Sequence, residues 1–173
     1  MWIFKVNKIL VSSCLLGYNV RYDGGSNLVT DTVFKTWVDE DRLVFVCPEI
    51  AGGLSIPRSA CEIIGGDGRA VLASRAKVLS KGGKDFSTEY IKGAEAALKL
   101  VKKYSIKIAI LKKNSPSCGN QQIYDGTFNS NKIQGSGVAA SLLMQNDVRV
   151  FNEGQLLQAK DFLEELEFKR IIF

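Results

Sequence analysis

Four short apolar runs, separated by turn and helix chemistry, constrain what this chain can fold into. They are Ile9-Leu10-Val11, Leu43-Val44-Phe45-Val46, the run over 106–111, and Val148-Arg149-Val150-Phe151. Runs of this length with almost no polar alternation suit strands that are buried on both faces, as in a parallel sheet. The intervals between them carry helical periodicity. Residues 31–40 offer Val33, Phe34, Trp37 and Val38 as one apolar face. Residues 87–104 place Tyr90, Ile91, Ala94, Ala97, Leu98 and Val101 at i, i+3, i+4 spacing. Residues 136–145 and 155–168 also read as helices.

Strands alternating with helices predict an α/β fold: a mostly parallel, Rossmann-like sheet with helices on both faces. A length of 173 residues suits a single domain over 1–173, and 46% apolar with 24% charged residues is ordinary globular usage. The stretch from about 52 to 84 is irregular and rich in glycine, and reads as an insertion. Within it, residues 70–79 suggest two short β pieces in a hairpin-like excursion. No apolar run approaches the roughly 18 residues of a membrane span. Val11-Ser12-Ser13-Cys14 loosely resembles a lipoprotein cleavage site, but the apolar stretch before it is too short for a signal peptide. Four well-separated cysteines fit a reducing, cytoplasmic setting.

The chain has no histidine. That excludes Ser-His-Asp and Cys-His catalysis, histidine zinc sites and imidazole proton shuttles. Chemistry must come from cysteine, carboxylate, hydroxyl, lysine, backbone or a cofactor. In open α/β sheets, ligands bind outside the carboxyl ends of the strands. Cys14 ends the first predicted strand, Cys47 ends the second, and Cys118 lies in the loop after the third. The three are therefore expected to converge on one rim. Cys61 falls in the insertion, without such a placement.

Convergent thiols without histidine can hold zinc, can hold a [4Fe–4S] cluster with one iron left open, can act as nucleophiles, or can simply pack. The spacing leaves all four open, and the surroundings favour a site over packing. Ser115-Pro116-Ser117-Cys118-Gly119 sets hydroxyls and a glycine around one thiol, just after Lys112 and Lys113. Glu49 follows Cys47 by two positions and is a natural general acid or base where no histidine exists. Gly52-Gly53 offers a flexible turn, Arg58 an anion contact, and Asp23 a turn residue. Gly65-Gly66-Asp67-Gly68 lacks the spacing and the preceding strand of a dinucleotide fingerprint.

Taken together these motifs resemble the DUF523 family, which includes the thiouracil desulfurases. The resemblance lies in Ser13-Cys14-Leu15-Leu16-Gly17, Val20-Arg21-Tyr22-Asp23-Gly24, Cys47-Pro48-Glu49, Gly52-Gly53-Leu54, Pro57-Arg58, Lys113-Asn114-Ser115-Pro116-Ser117-Cys118-Gly119 and Ile123-Tyr124-Asp125-Gly126. It implies a [4Fe–4S] cluster on three cysteines, matched here by Cys14, Cys47 and Cys118, with the fourth iron open to the substrate's sulfur. Cys61 matches no required position. The implied activity is desulfuration of a small thiolated pyrimidine or similar thioamide, releasing sulfide. Glu49 is then the residue to activate water or protonate a ring nitrogen, and Ser115 and Ser117 are those to orient the pyrimidine edge. Two other readings stand beside it. One is a zinc- or cluster-bearing protein without turnover. The other is a desulfurase of thiolated bases in RNA, which some relatives perform with an additional domain that 173 residues leave no room for. A net charge of +5 is spread over scattered lysines rather than a basic stripe, which disfavours nucleic acid.

Overall fold

The computed structural model describes residues 6–172. Strand β1 (Ile9–Ser12) lies between β2 (Leu43–Val46) and β5 (Ile108–Leu111), and β8 (Arg149–Asn152) follows on the far side of β5. All pairings in this sheet are parallel, with Ser12 in register with Val46 and Ile110 with Phe151. The α/β reading with helices on both faces is therefore what the chain adopts.

The strand side chains explain the layering. Ile9, Val11, Ile108 and Ile110 point to one face, against Phe34 and Trp37 of α1 (Thr32–Asp39) and Ala159 and Leu163 of α6 (Leu156–Ile172). Leu10, Ala109 and Leu111 point to the other, against Ala97 and Val101 of α4 (Ser87–Tyr104) and Ala140 and Leu143 of α5 (Val138–Met144). Both faces are dry, which is why these runs show no polar alternation.

The interval 52–84 carries more regular structure than the sequence suggests. β3 (Cys61–Ile64) pairs antiparallel with β4 (Lys77–Ser80), so β4 has the hairpin partner expected of it, but from farther upstream. The first half of 70–79 is corrected: Gly68–Leu72 is a short helix, α3. Asp67 accepts from the backbone N–H of Arg69 and Ala70 and so caps that helix, which overrides the β-like look of Val71-Leu72. A one-turn helix α2 (Pro48–Ala51) follows β2, and a small hairpin of β6 (Gln122–Tyr124) and β7 (Lys132–Gln134) lies in the loop after β5. Among the described residues no helix is long and apolar enough to cross a membrane.

Two glycines fix where α2 sits. A Cβ on Gly93 of α4 would lie 1.9 Å from the Pro48 carbonyl oxygen, and one on Gly52 would lie 2.0 Å from that of Glu89. The backbones of α2 and α4 touch directly, and no other residue type would let them.

Candidate active site

The carboxyl ends of β2, β1 and β5 are adjacent, and each delivers one thiol. Cys14 sits in the 3₁₀ turn Ser13–Leu16 that follows β1, Cys47 is the residue before α2, and Cys118 lies in the turn after β5. All three line one cavity of about 500 Å³, together with Ser12, Glu49, Arg58, Tyr90, Lys112 and Ser115. The rim expected from the strand-end positions is thus formed at the crevice of the parallel sheet.

Four free thiols line this cavity, because Cys61 reaches it from β3. Their surroundings differ. Burial pushes the Cys14 thiol up, the Asn27 side-chain amide opposes this, and Cys47 raises it further. Burial likewise raises Cys47, against hydrogen bonding from the backbone N–H of Ile50. Cys118 is raised most strongly, by its burial, against the Ser12 hydroxyl, with Cys47 and then Cys14 adding to the rise. These three thiols are therefore electrostatic neighbours. Cys61 is pushed to about 11 by burial, with hydrogen bonding to Tyr90 opposing, and the charges acting on it are Glu49 and Arg58.

Glu49 is held by a guanidinium. Arg58 Nε and Nη2 lie 2.8 and 2.7 Å from the same oxygen, Glu49 Oε2, and both side chains are mostly buried. Arg58 Nη2 also donates to the Val20 carbonyl at 2.9 Å, which ties the loop after Cys14 to this wall. The sequence offers Arg58 as an anion contact, and here the anion is Glu49 itself. Tyr90 reads in the sequence as one more apolar helix position. Its hydroxyl instead reaches Cys61, a contact that depends on β3 folding back over α4.

The two serines part company. Ser115 lines the cavity, and its Oγ accepts from the N–H of Ser117 and Cys118 at 3.1 and 3.2 Å, so its own proton is free to donate. Ser117, expected to orient a substrate, is fully buried and is not on the cavity wall. The start of α5 explains this: Val138 N–H donates to the Pro116 carbonyl, and Ala139 and Ala140 N–H donate to that of Ser117. The turn plugs the helix end and faces Ser117 inward. Asp23 also lies off the wall, with Oδ1 accepting from Gly25 N–H and Oδ2 paired with Arg21 at 3.2 Å.

The donor set has the chemistry that an iron–sulfur cluster uses. A zinc bound at about 2.3 Å from each sulfur needs its ligands nearly in contact. Among the described residues no group of three Cys, Asp or Glu is arranged as such a single-ion site. Three soft thiols around a shared cavity, with the buried Asn27 amide beside them, suit a larger thiolate-bound group with polar support at its edge.

Comparison with known proteins agrees with this chemistry. Residues 9–155 match the family model described as 2-thiouracil desulfurase. An uncharacterised Bacillus subtilis protein, YbbK, is 47% identical over 148 residues, covering 86% of this chain and 97% of its own. The solved structure of TudS, a [4Fe–4S]-dependent thiouracil desulfidase, superposes with a TM-score of 0.83 at 38% identity, covering 91% of this chain and 98% of that one.

Proposed function

This chain belongs to the 2-thiouracil desulfurase family, and from that membership we propose that it is a [4Fe–4S]-dependent enzyme that exchanges the sulfur of a thiolated pyrimidine for oxygen. Water supplies the oxygen, and its two hydrogens leave with sulfur as hydrogen sulfide. One observation carries the reading: three mutually neighbouring thiols from adjacent parallel strands line the same cavity as an ion-paired glutamate.

Cys14, Cys47 and Cys118 are the ligands in this reading. Their raised thiols are protonated when free, so binding displaces three protons. The cluster these cysteines would hold would supply a soft Lewis-acid iron that favours thiocarbonyl sulfur over carbonyl oxygen.

The chain's own residues manage the proton. Both Arg58 contacts fall on Glu49 Oε2, which leaves Oε1 to accept a proton from the attacking water and return it to the ring nitrogen or departing sulfur. Arg58 fixes that carboxylate's direction. Ser115, with its oxygen already accepting two N–H groups, donates its proton to the polar edge of the pyrimidine. Ser117 supports the turn that carries Ser115 and Cys118.

The test is anaerobic reconstitution followed by turnover. Iron and acid-labile sulfide should each reach about four per chain, the content of a [4Fe–4S] group. Incubation with 2-thiouracil should then yield uracil and sulfide in equal amounts. A fully loaded protein that releases no sulfide from any thiolated pyrimidine would instead be a cluster-holding protein without turnover.

A further inference from the structure

Asn27 makes three contacts that together give its side chain one orientation. Its backbone N–H donates to the Cys14 carbonyl at 2.9 Å, which docks the loop against the 3₁₀ turn. Its Oδ1 accepts from Arg21 Nη1 at 3.0 Å. A guanidinium can only donate, so the oxygen of the amide must face Arg21 and the NH₂ must face the other way. That Nδ2 is buried without a full hydrogen bond, and Asn27 and Cys14 line the same cavity. Arg21 is held in turn by Asp23 at 3.2 Å. The mechanism above uses none of these three residues.

We infer that Asn27 is a positioning residue for the cluster, its Nδ2–H donating to the Cys14 sulfur once that sulfur is an iron ligand, with Arg21 and Asp23 fixing the direction of the donor. The inference rests on the ligand set proposed above. A hydrogen bond to a ligating thiolate draws negative charge off the sulfur and stabilises the more reduced, more negative cluster, so it raises the reduction potential. A buried donor whose hydrogen bond is incomplete in the free protein gains a full acceptor in the loaded protein.

The experiment uses the full chain, reconstituted anaerobically, as Asn27→Leu and Asn27→Ala. Neither variant carries a donor or adds charge, so the two are independent removals of one hydrogen bond and either suffices if the other does not fold. Redox titration should show both variants with a more negative midpoint. At a fixed applied potential, the ratio of reduced to oxidised cluster should fall about threefold to tenfold, where tenfold is 59 mV for one electron. The reduced native cluster should also show an exchangeable-proton hyperfine coupling, lost in heavy water and absent from both variants. A merely structural role would alter iron retention or melting but leave the midpoint and the coupling in place. Variants that load iron and keep the native midpoint, or the native proton coupling, overturn the inference while leaving the desulfurase reading intact. A native chain that takes up no cluster overturns that reading first, and this inference with it.

Discussion

One wall of the cavity hangs from the parallel sheet, and the other comes from the segment that crosses over α4. On the first wall, Cys14, Cys47 and Cys118 follow adjacent strands whose buried residues lock the register. On the second, Arg58, Cys61 and Tyr90 come from the β3 hairpin, its lead-in and the helix beneath it. Cys14 and Cys61 are the same residue type, each 8% exposed, and both line the cavity. Their neighbours differ: the sheet-wall thiols act on one another, whereas Cys61 meets Tyr90, and Glu49 and Arg58 act on Cys47 as well as on Cys61. Burial and cavity membership alone therefore do not separate the four thiols, and the proposed ligand set rests on the company each thiol keeps.

The sharpest way to break this contrast is to remove each thiol in turn. Cys14→Ser, Cys47→Ser and Cys118→Ser should each lose the iron of the reconstituted protein, while Cys61→Ser should keep it nearly unchanged. Iron and acid-labile sulfide per chain decide the matter. A Cys61→Ser protein as iron-poor as the others would show that the hairpin wall supplies a ligand, and the two walls would no longer differ in kind.

Next in size comes the residue that links the walls. Glu49 stands on α2 just past the sheet-wall Cys47, yet its partner Arg58 belongs to the hairpin side. Glu49→Gln keeps size and polarity, so iron content should hold while turnover of a thiolated pyrimidine falls by about 10²–10⁴, the usual range for general acid–base help. Native turnover with a full complement of iron would move the proton-transfer role elsewhere. Asp23, paired with Arg21 and turned off the cavity wall, is not poised to take it over.

The contrast between the walls also separates what the sequence reveals from what it conceals. An apolar run that stops at a cysteine announces both a strand and the end where ligands gather, so the three sheet-wall thiols are readable in order. Tyr90 is not, because it satisfies a helical apolar pattern and only the distant β3 gives its hydroxyl a use. Asn27 hides for a similar reason: its meaning lies in Arg21 fixing which end of the amide faces Cys14. Ser117 and Ser115 look alike in the sequence, and the start of α5, by claiming the Ser117 carbonyl, decides which serine faces the cavity. Helix α3 is a local misreading. Its Asp67 cap is visible, but the short apolar pair after it suggests a strand.

The glycine contact that seats α2 yields a prediction of intermediate size. A methyl on Gly93 would stand 1.9 Å from the Pro48 oxygen, too close for any rotamer change to relieve, because both atoms belong to or adjoin backbone. Gly93→Ala must therefore push α2 away from α4, and overpacking of this kind costs about 1–3 kcal/mol. At this chain length each kcal/mol lowers the melting midpoint by roughly 2–4 °C. Turnover should drop more than stability suggests, since α2 carries Glu49 and adjoins Cys47. Unchanged melting and unchanged turnover would mean that the helices are not seated on each other by these glycines.

The smallest expected effect probes the hairpin wall without touching the cavity. Asp67 caps α3 through the N–H groups of Arg69 and Ala70 at 3.0 and 3.3 Å, and is not among the residues that line the cavity. Asp67→Ala removes that cap and should cost about 1 kcal/mol, within the usual range for losing such a residue. The melting midpoint of the metal-free chain should fall by a few degrees on the same length scaling. Iron uptake should not change, because the three thiols proposed as ligands are held by β1, β2, β5 and the start of α5 rather than by α3. If iron uptake falls along with melting, the hairpin wall is mechanically tied to the sheet wall, and the division between a wall that binds and a wall that frames would have to be given up.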